Sequence, residues 1–163
     1  MSSTNPYAAP KSPIEAPASR GAAYSGYAGF WVRFVAYLID NVVLTLLSLG
    51  LGLAVGIIGA VVAKDSPALI GIIAQLLAIV LFVAYYAGME SSEKQATFGK
   101  QIMGLKVTDL RGRRISFGKA TGRFFCKILS GIILAIGFIM AAFTEKKQAL
   151  HDMLAGTLVM KVR

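Results

Sequence analysis

From Val42 to Ala63 the chain runs for 22 residues without a charged side chain, and just ahead of that run stand Arg33 and Asp40. About 20 helical residues cross the hydrocarbon core of a bilayer, so the stretch 34–63 is predicted to be a transmembrane helix with an arginine and an aspartate at its entrance. A spanning segment must satisfy its own backbone hydrogen bonds, which restricts the fold class to membrane all-α. An acid inside such a helix costs roughly 2.5–3.5 kcal/mol on insertion scales, so Asp40 needs a partner or a task. Arg33 and Asp40 are about two helical turns apart and share one face, with about 10 Å of rise between them.

A second uncharged run of 21 residues, Ala68 to Gly88, follows the short corner Lys64-Asp65-Ser66-Pro67. Pro67 suits the first turn of a helix, where its missing N–H is no loss. The two segments, 34–63 and 68–89, are therefore expected to form an antiparallel transmembrane hairpin. Gly52, Gly56 and Ala60 recur at four-residue spacing, which lets helix backbones approach closely. Their neighbour is expected to be the second helix, with a homodimer as the alternative. Gln75, the strongly polar side chain of the second run, either bonds across to the first helix or lines a polar path. Tyr24, Tyr27, Phe30 and Trp31 on one flank, and Tyr85 and Tyr86 on the other, are of the kind that settle at headgroup level.

A membrane protein accounts for the composition, since only 15% of the 163 residues are charged and 56% are hydrophobic, where a soluble domain carries about a quarter charged. The net charge of +9 raises the question of nucleic acid. The cations flank apolar segments, as the positive-inside rule requires, and no nucleic-acid motif accompanies them. A lone cysteine, Cys126, cannot close an internal disulfide. No cleavable signal peptide is expected, so the first membrane helix serves as its own insertion signal. Residues 1–28 hold Pro6, Pro10, Pro13 and Pro17 and read as a disordered cytoplasmic tail. Within it Asn5-Pro6-Tyr7-Ala8-Ala9-Pro10 is either a docking motif for a protein partner or plain solvated leader.

Between Met89 and Lys127 nine cations stand against three acids, which places this loop in the cytoplasm together with the N-terminal tail. In the stretch 94–117, Met103 to Asp109 alternates apolar with polar residues. A turn at Leu110-Arg111-Gly112-Arg113 follows and Arg114-Ile115-Ser116 resumes, a pattern that predicts a small β-hairpin. Gly99-Lys100 lacks the preceding glycine and the following hydroxyl of a phosphate loop. Phe117 to Lys127 interleaves Lys119, Arg123 and Lys127 with aromatic residues, as in a helix lying along anionic lipid headgroups or, more plainly, the solvated stem of the next membrane helix. The apolar run Ile128 to Phe143 has 16 residues, with Gly131 and Gly137 inside it, and is short for a crossing. Thr157 to Val162 reads as a strand that would pair with the hairpin edge on the same side of the membrane. The segment 118–143 is thus expected to enter and return as a broken, re-entrant helical pair, with 144–163 cytoplasmic. Three complete crossings are the alternative.

Phe30-Trp31-Val32-Arg33 with Leu38-Ile39-Asp40, then Thr97-Phe98-Gly99-Lys100 with Gly104-Leu105-Lys106-Val107, then Ala149-Leu150-His151-Asp152 with Leu154-Ala155-Gly156-Thr157, occur in this order. In these blocks the chain resembles the RDD family of small bacterial membrane proteins. The arginine and two aspartates that name the family match Arg33, Asp40 and Asp152. The resemblance implies a bacterial inner-membrane protein. Transport of ligands has been proposed for the family, with sodium/proton antiport for a few members.

Two classes of function follow. In the first, Asp40 is a proton-exchanging carboxylate of a cation/proton antiporter, with Gln75 on the path and His151 relaying protons near neutral pH. A pore would then need an oligomer, seamed along Gly52, Gly56 and Ala60. In the second the protein is a non-transport scaffold or accessory subunit that recruits partners through its basic loop and Pro-rich tail. There Arg33 pairs with Asp152 as a structural tie, and Asp40 bonds to backbone or to polar side chains such as Gln75 or Thr45. No nucleophile–base pair, metal set or cofactor loop is visible, so no enzyme, metal or cofactor is expected.

Overall fold

The computed structural model describes residues 24–62, 66–132 and 136–162. The Pro-rich leader before Tyr24 and the Lys64-Asp65 corner lie outside the described residues.

Helix α1, Phe30–Val62, has 33 residues and is about 50 Å long at 1.5 Å per residue. It begins ahead of the expected start, so Arg33 and Asp40 sit within its first three turns. Helix α2, Pro67–Val83, starts on its proline and runs through a π-helical turn, Ala84–Gly88, into the short α3, Met89–Ser91. Two helices are thus long and apolar enough to cross a membrane, Phe30–Val62 and Pro67–Ser91. Leu46, Ile57 and Ile58 of the first and Leu76 and Val80 of the second are exposed on the chain's own surface. Side chains of this kind along whole helices call for lipid around them.

The hairpin closes at a different glycine from the expected one. A Cβ on Gly59 would stand 2.6 Å from Cδ1 of Ile70, whereas Gly52 and Gly56 have nothing within 4 Å of that position. Gly52, Gly56 and Ala60 face outward. Adjacent helical positions differ by about 100° in direction, and α2 packs on the side that Gly59 presents. Gln75 is exposed on α2 and does not bridge to α1.

The remaining elements lie at the α1 N-terminal end of the hairpin: α4 Phe98–Ile102, β2 Leu105–Asp109, α5 Phe117–Ile132, α6 Ile136–Phe143, α7 Leu150–Leu154 and β3 Thr157–Val162. The strand β1, Tyr24–Tyr27, precedes α1, where an unstructured leader with headgroup aromatics was expected. The sheet has the order β1-β3-β2, with β3 antiparallel to both neighbours. Val107 faces Val159, and Tyr27 faces Met160. The expected pairing of the C-terminal strand with the Met103–Asp109 stretch is present.

The expected return strand of the hairpin is not formed. The Asp109 carboxylate accepts the backbone N–H groups of Arg111 and Arg113, each at 2.8 Å, and closes the turn. The outer edge of β2 is already taken: Val107 N–H donates to the Gln95 carbonyl at 2.7 Å, and Gln95 Nε2 donates to the Val107 carbonyl at 3.2 Å. Ile115 therefore has no edge to pair with and is buried instead. It joins a core in which Ala28, Ala36, Ala87 and Ala120 meet Leu105, Val107 and Val159. The small alanines let the helices sit directly on the sheet.

The apolar segment 118–143 is broken into α5 and α6, and the two pack against each other. A Cβ on Gly137 would come within 2.8 Å of Ser130 Cβ, so this glycine permits the close approach.

Candidate functional site

The polar residues that sequence patterning scattered over the chain converge beneath the hairpin. Asp40, 1% exposed on α1, accepts three hydrogen bonds. Tyr85 Oη donates at 2.7 Å, Thr97 Oγ1 at 2.6 Å and Gly99 N–H at 2.7 Å. Tyr85 is available because the π-turn adds a residue to its helical turn, which puts Tyr85 and Tyr86 both inside. Gly99 is required by contact: a Cβ there would lie 2.0 Å from the Ala36 carbonyl oxygen and 3.0 Å from Asp40 Cγ. The backbone of α4 thus rests on α1. The expected bond to backbone is the one from Gly99 N–H, while the side chains named for Asp40, Gln75 and Thr45, make none of these bonds.

Beside Asp40 lies a network of charges. Arg33 pairs through Nη1 with Asp152, and its Nε donates to the Ala28 carbonyl at 3.0 Å. Arg123 bridges the two buried acids, donating from Nε and Nη2 to Asp152 Oδ1 at 2.9 and 2.6 Å and from Nη1 to Glu90 Oε2 at 2.5 Å. Glu90 Oε1 pairs with Lys100 and, at 3.2 Å, with Lys127. Lys127 also stands 4.1 Å from the centre of the Tyr86 ring. Arg123 and Lys127 therefore turn inward, not along the headgroups as their amphipathic spacing implied. Each carboxylate is balanced by more than one cation, the arrangement in which buried charge is tolerated.

Burial alone would raise the Asp152 carboxyl, but Arg123, His151 and Arg33 hold it well below the usual carboxylate range. Burial draws the Lys100 ammonium down, and Glu90 opposes that pull. His151 is buried on α7 with Nδ1 3.4 Å from Ser130 Oγ and Nε2 3.5 Å from Asp152 Oδ1. Burial outweighs the attraction of Asp152 and pushes the imidazole down to about 3. Burial thus favours the neutral imidazole at the position for which a proton relay near neutrality was expected.

The structure therefore brings Arg33, Asp152 and His151 together, holds Asp40 next to them with different partners, and leaves Gln75 and the Gly52-Gly56-Ala60 face apart. Glu90, Lys100, Arg123 and Lys127, with Tyr85, Thr97 and Gly99, were absent from the sequence-based site. One signal was there for Glu90: it is a carboxylate two residues beyond an uncharged run of 21, the same anomaly that singled out Asp40.

Over 145 residues the chain is 42% identical to the uncharacterized protein YxaI of Bacillus subtilis, covering 81% of this chain and 95% of that one. Over 143 residues it is 33% identical to the uncharacterized membrane protein YteJ of the same species, covering 82% and 80%. A match at 28% identity to the proline-rich antigen of Mycobacterium leprae covers 82% of this chain and 61% of that protein. No solved structure matches. The RDD family model matches residues 27–156, from the end of β1 to the turn before β3, with Arg33, Asp40 and Asp152 inside the matched region, and the chain belongs to the RDD family as a membrane-associated protein.

Proposed function

We propose that this protein is a non-enzymatic scaffold or accessory subunit of the bacterial inner membrane, and not an ion carrier. The observation that carries the reading is the set of three donors that hold Asp40. A carboxylate that trades a proton for a cation needs oxygen lone pairs and a water-accessible approach. Asp40 is buried under three short bonds from Tyr85, Thr97 and Gly99. These bonds suit a clamp that fixes α4, and with it the basic module, to the base of α1. The network through Arg33, Asp152, Arg123 and Glu90 fastens α5 and α7 in the same way.

The proposal includes a topology. Residues before α1, after α3 and at the C-terminus share one sheet, which favours one side of the membrane for all three. The basic character of Met89 to Lys127 favours the cytoplasmic side. On this reading 117–143 enters and returns, both termini are cytoplasmic, and the Pro-rich tail with the exposed part of the basic loop recruits partners. The outward Gly52, Gly56 and Ala60 would serve a second copy or another membrane helix.

Asp40→Asn separates this reading from antiport. The amide oxygen can still accept from Tyr85 and Gly99, and the amide N–H can donate to Thr97 Oγ1 once that hydroxyl turns, so the clamp survives without a titrating proton. In inverted membrane vesicles lacking other antiporters, neither wild type nor Asp40→Asn should dissipate an imposed pH gradient on addition of sodium or potassium. Dissipation by wild type that is lost in Asp40→Asn, at equal membrane levels, overturns the proposal.

A further inference from the structure

Between α1, α5 and α6 lies a cavity of about 460 Å³ that the polar clamp does not fill. We propose that it is a binding site for an acidic phospholipid, its phosphate at the inner end and the start of an acyl chain along the apolar wall. The inference is independent of the scaffold reading, since a carrier or a scaffold could hold such a lipid.

Three features argue for it. Phe30, Phe34 and Tyr37 of α1 and Phe138 and Ile139 of α6 line one part of the cavity, while Arg33, Lys100, Arg123 and Lys127 line another. The walls are thus apolar on the helix that enters the membrane and cationic towards the network, an amphipathic division that matches a lipid. Charge is the second feature. Four cations of the network face the two carboxylates Glu90 and Asp152. Asp40 also lines the cavity, its charge held in place by the neutral donors Tyr85, Thr97 and Gly99, so the four cations stand against three carboxylates. A formal excess of positive charge remains at the inner end, and a phosphate offsets it. The third feature is a donor without an acceptor. Arg33 Nη2 is buried and has no hydrogen-bond partner among the described residues, although Nε and Nη1 are both engaged. Guanidinium nitrogens left open beside other cations are suited to phosphate oxygens. Basic pockets between membrane helices on the cytoplasmic side are a known setting for anionic headgroups. The volume lies within the roughly 300–1,000 Å³ of small-molecule sites, so it takes the headgroup and the first part of a chain, with the rest of the lipid in the bilayer.

Gly131 offers a way to block the site without touching the charges. It lines the cavity, and a Cβ there meets nothing within 4 Å, so Gly131→Leu fills space and leaves the ion pairs in place. Lys127→Gln removes a cation whose bond to Glu90 is the longest of the network's Lys and Arg pairs. The full chain, purified in neutral detergent, would be offered phosphatidylglycerol or phosphatidylcholine, and retained lipid counted by native mass spectrometry. Wild type should hold one phosphatidylglycerol with a preference of about fivefold, from one uncompensated cation. Lys127→Gln should lower the preference about fivefold. Gly131→Leu should lose the bound lipid while still eluting as a monodisperse protein. Millimolar inorganic phosphate should not displace the lipid. Equal retention of the two lipids, displacement by phosphate alone, or unchanged binding in Gly131→Leu would each overturn the proposal.

Discussion

Replacing Gly99 with alanine tests whether the polar clamp depends on direct backbone contact. The added Cβ would lie 2.0 Å from the Ala36 carbonyl oxygen, where ordinary contact begins at 3.4 Å. The obstacle is main chain in the middle of a helix turn, so α4 must retreat by about 1.4 Å. That movement stretches the Gly99 N–H to Asp40 bond from 2.7 Å to roughly 4 Å, which is no longer a hydrogen bond. A buried bond to a charged group is worth about 1.5–3 kcal/mol. Thr97 is two residues away and shares the same carboxylate, so its bond weakens too, and a total loss of about 3 kcal/mol follows. For a chain of this size each kcal/mol moves the midpoint by roughly 2–4 °C, so heat-induced loss of monodisperse protein in neutral detergent should occur roughly 6–12 °C lower. Gly122→Ala provides the contrast. That glycine lies inside α5 with nothing within 4 Å of its Cβ position, and alanine there gains about 0.5–1 kcal/mol of helix stability. If Gly99→Ala melts within about 2 °C of wild type, α4 does not dock on α1 by close contact and the reasoning fails.

The charge network and the buried histidine give two further outcomes. Arg123→Met leaves Glu90 and Asp152 each short of a buried partner and should cost about 3–5 kcal/mol, read as the same midpoint in detergent; adding Glu90→Gln should return part of the loss, and a neutral Arg123→Met would show that the pairs contribute nothing. His151 has a folded value of about 3 against 6.5 unfolded, so between those limits the unfolded chain binds the extra proton. Stability should therefore fall as pH drops from about 6.5 towards 3, by up to about 1.4 kcal/mol per unit. Asp152 and Glu90 both have depressed folded values, and their contributions are lost as pH falls from about 5 downward, so the window from pH 6.5 to 5.5 is the one that reads the histidine. In that window His151→Gln should flatten the midpoint-versus-pH curve, and a slope equal to wild type would refute the assignment.

The two long apolar helices were legible because capacity to span is a matter of length and composition, and both runs announce themselves in the sequence. The Pro67 start and the C-terminal strand were legible for similar local reasons. The site was legible only in part: Arg33 and Asp40 stood out as charges at the entrance of an apolar run and Asp152 through the family resemblance, but their partners did not. Tyr85, Thr97 and Gly99 lie 45, 57 and 59 residues from Asp40, and no spacing rule connects them. The π-turn shifts the helical phase by one residue, which a 3.6-residue period does not anticipate. Arg123 and Lys127 had the spacing of a headgroup-facing stripe, and their inward turn depends on Glu90, which counts in a charge tally as one more loop acid. The choice of Gly59 over Ala60 at the hairpin contact rests on the rotation of α1, set by what its first turns grip.

That grip explains why the charged positions organise this fold. Helices α4 and α7 have five residues each, too few to be stable alone in water or to be held by propensity. The residues they bury are Gly99 and Lys100 on α4 and His151 and Asp152 on α7, none of them a large apolar side chain. Hydrogen bonds and ion pairs therefore carry the docking. α4 is tied by Gly99 to Asp40 and by Lys100 to Glu90, α7 by Asp152 to Arg33 and Arg123, and α5 by Arg123 to Glu90. Each tie joins a short element to a long apolar helix or to another tie, so losing one charge strands its partners in a dry setting. A fold assembled in this way depends more on its few buried charges than on any single apolar contact, and Arg33, Asp40 and Asp152 are three of the points at which its helices are joined.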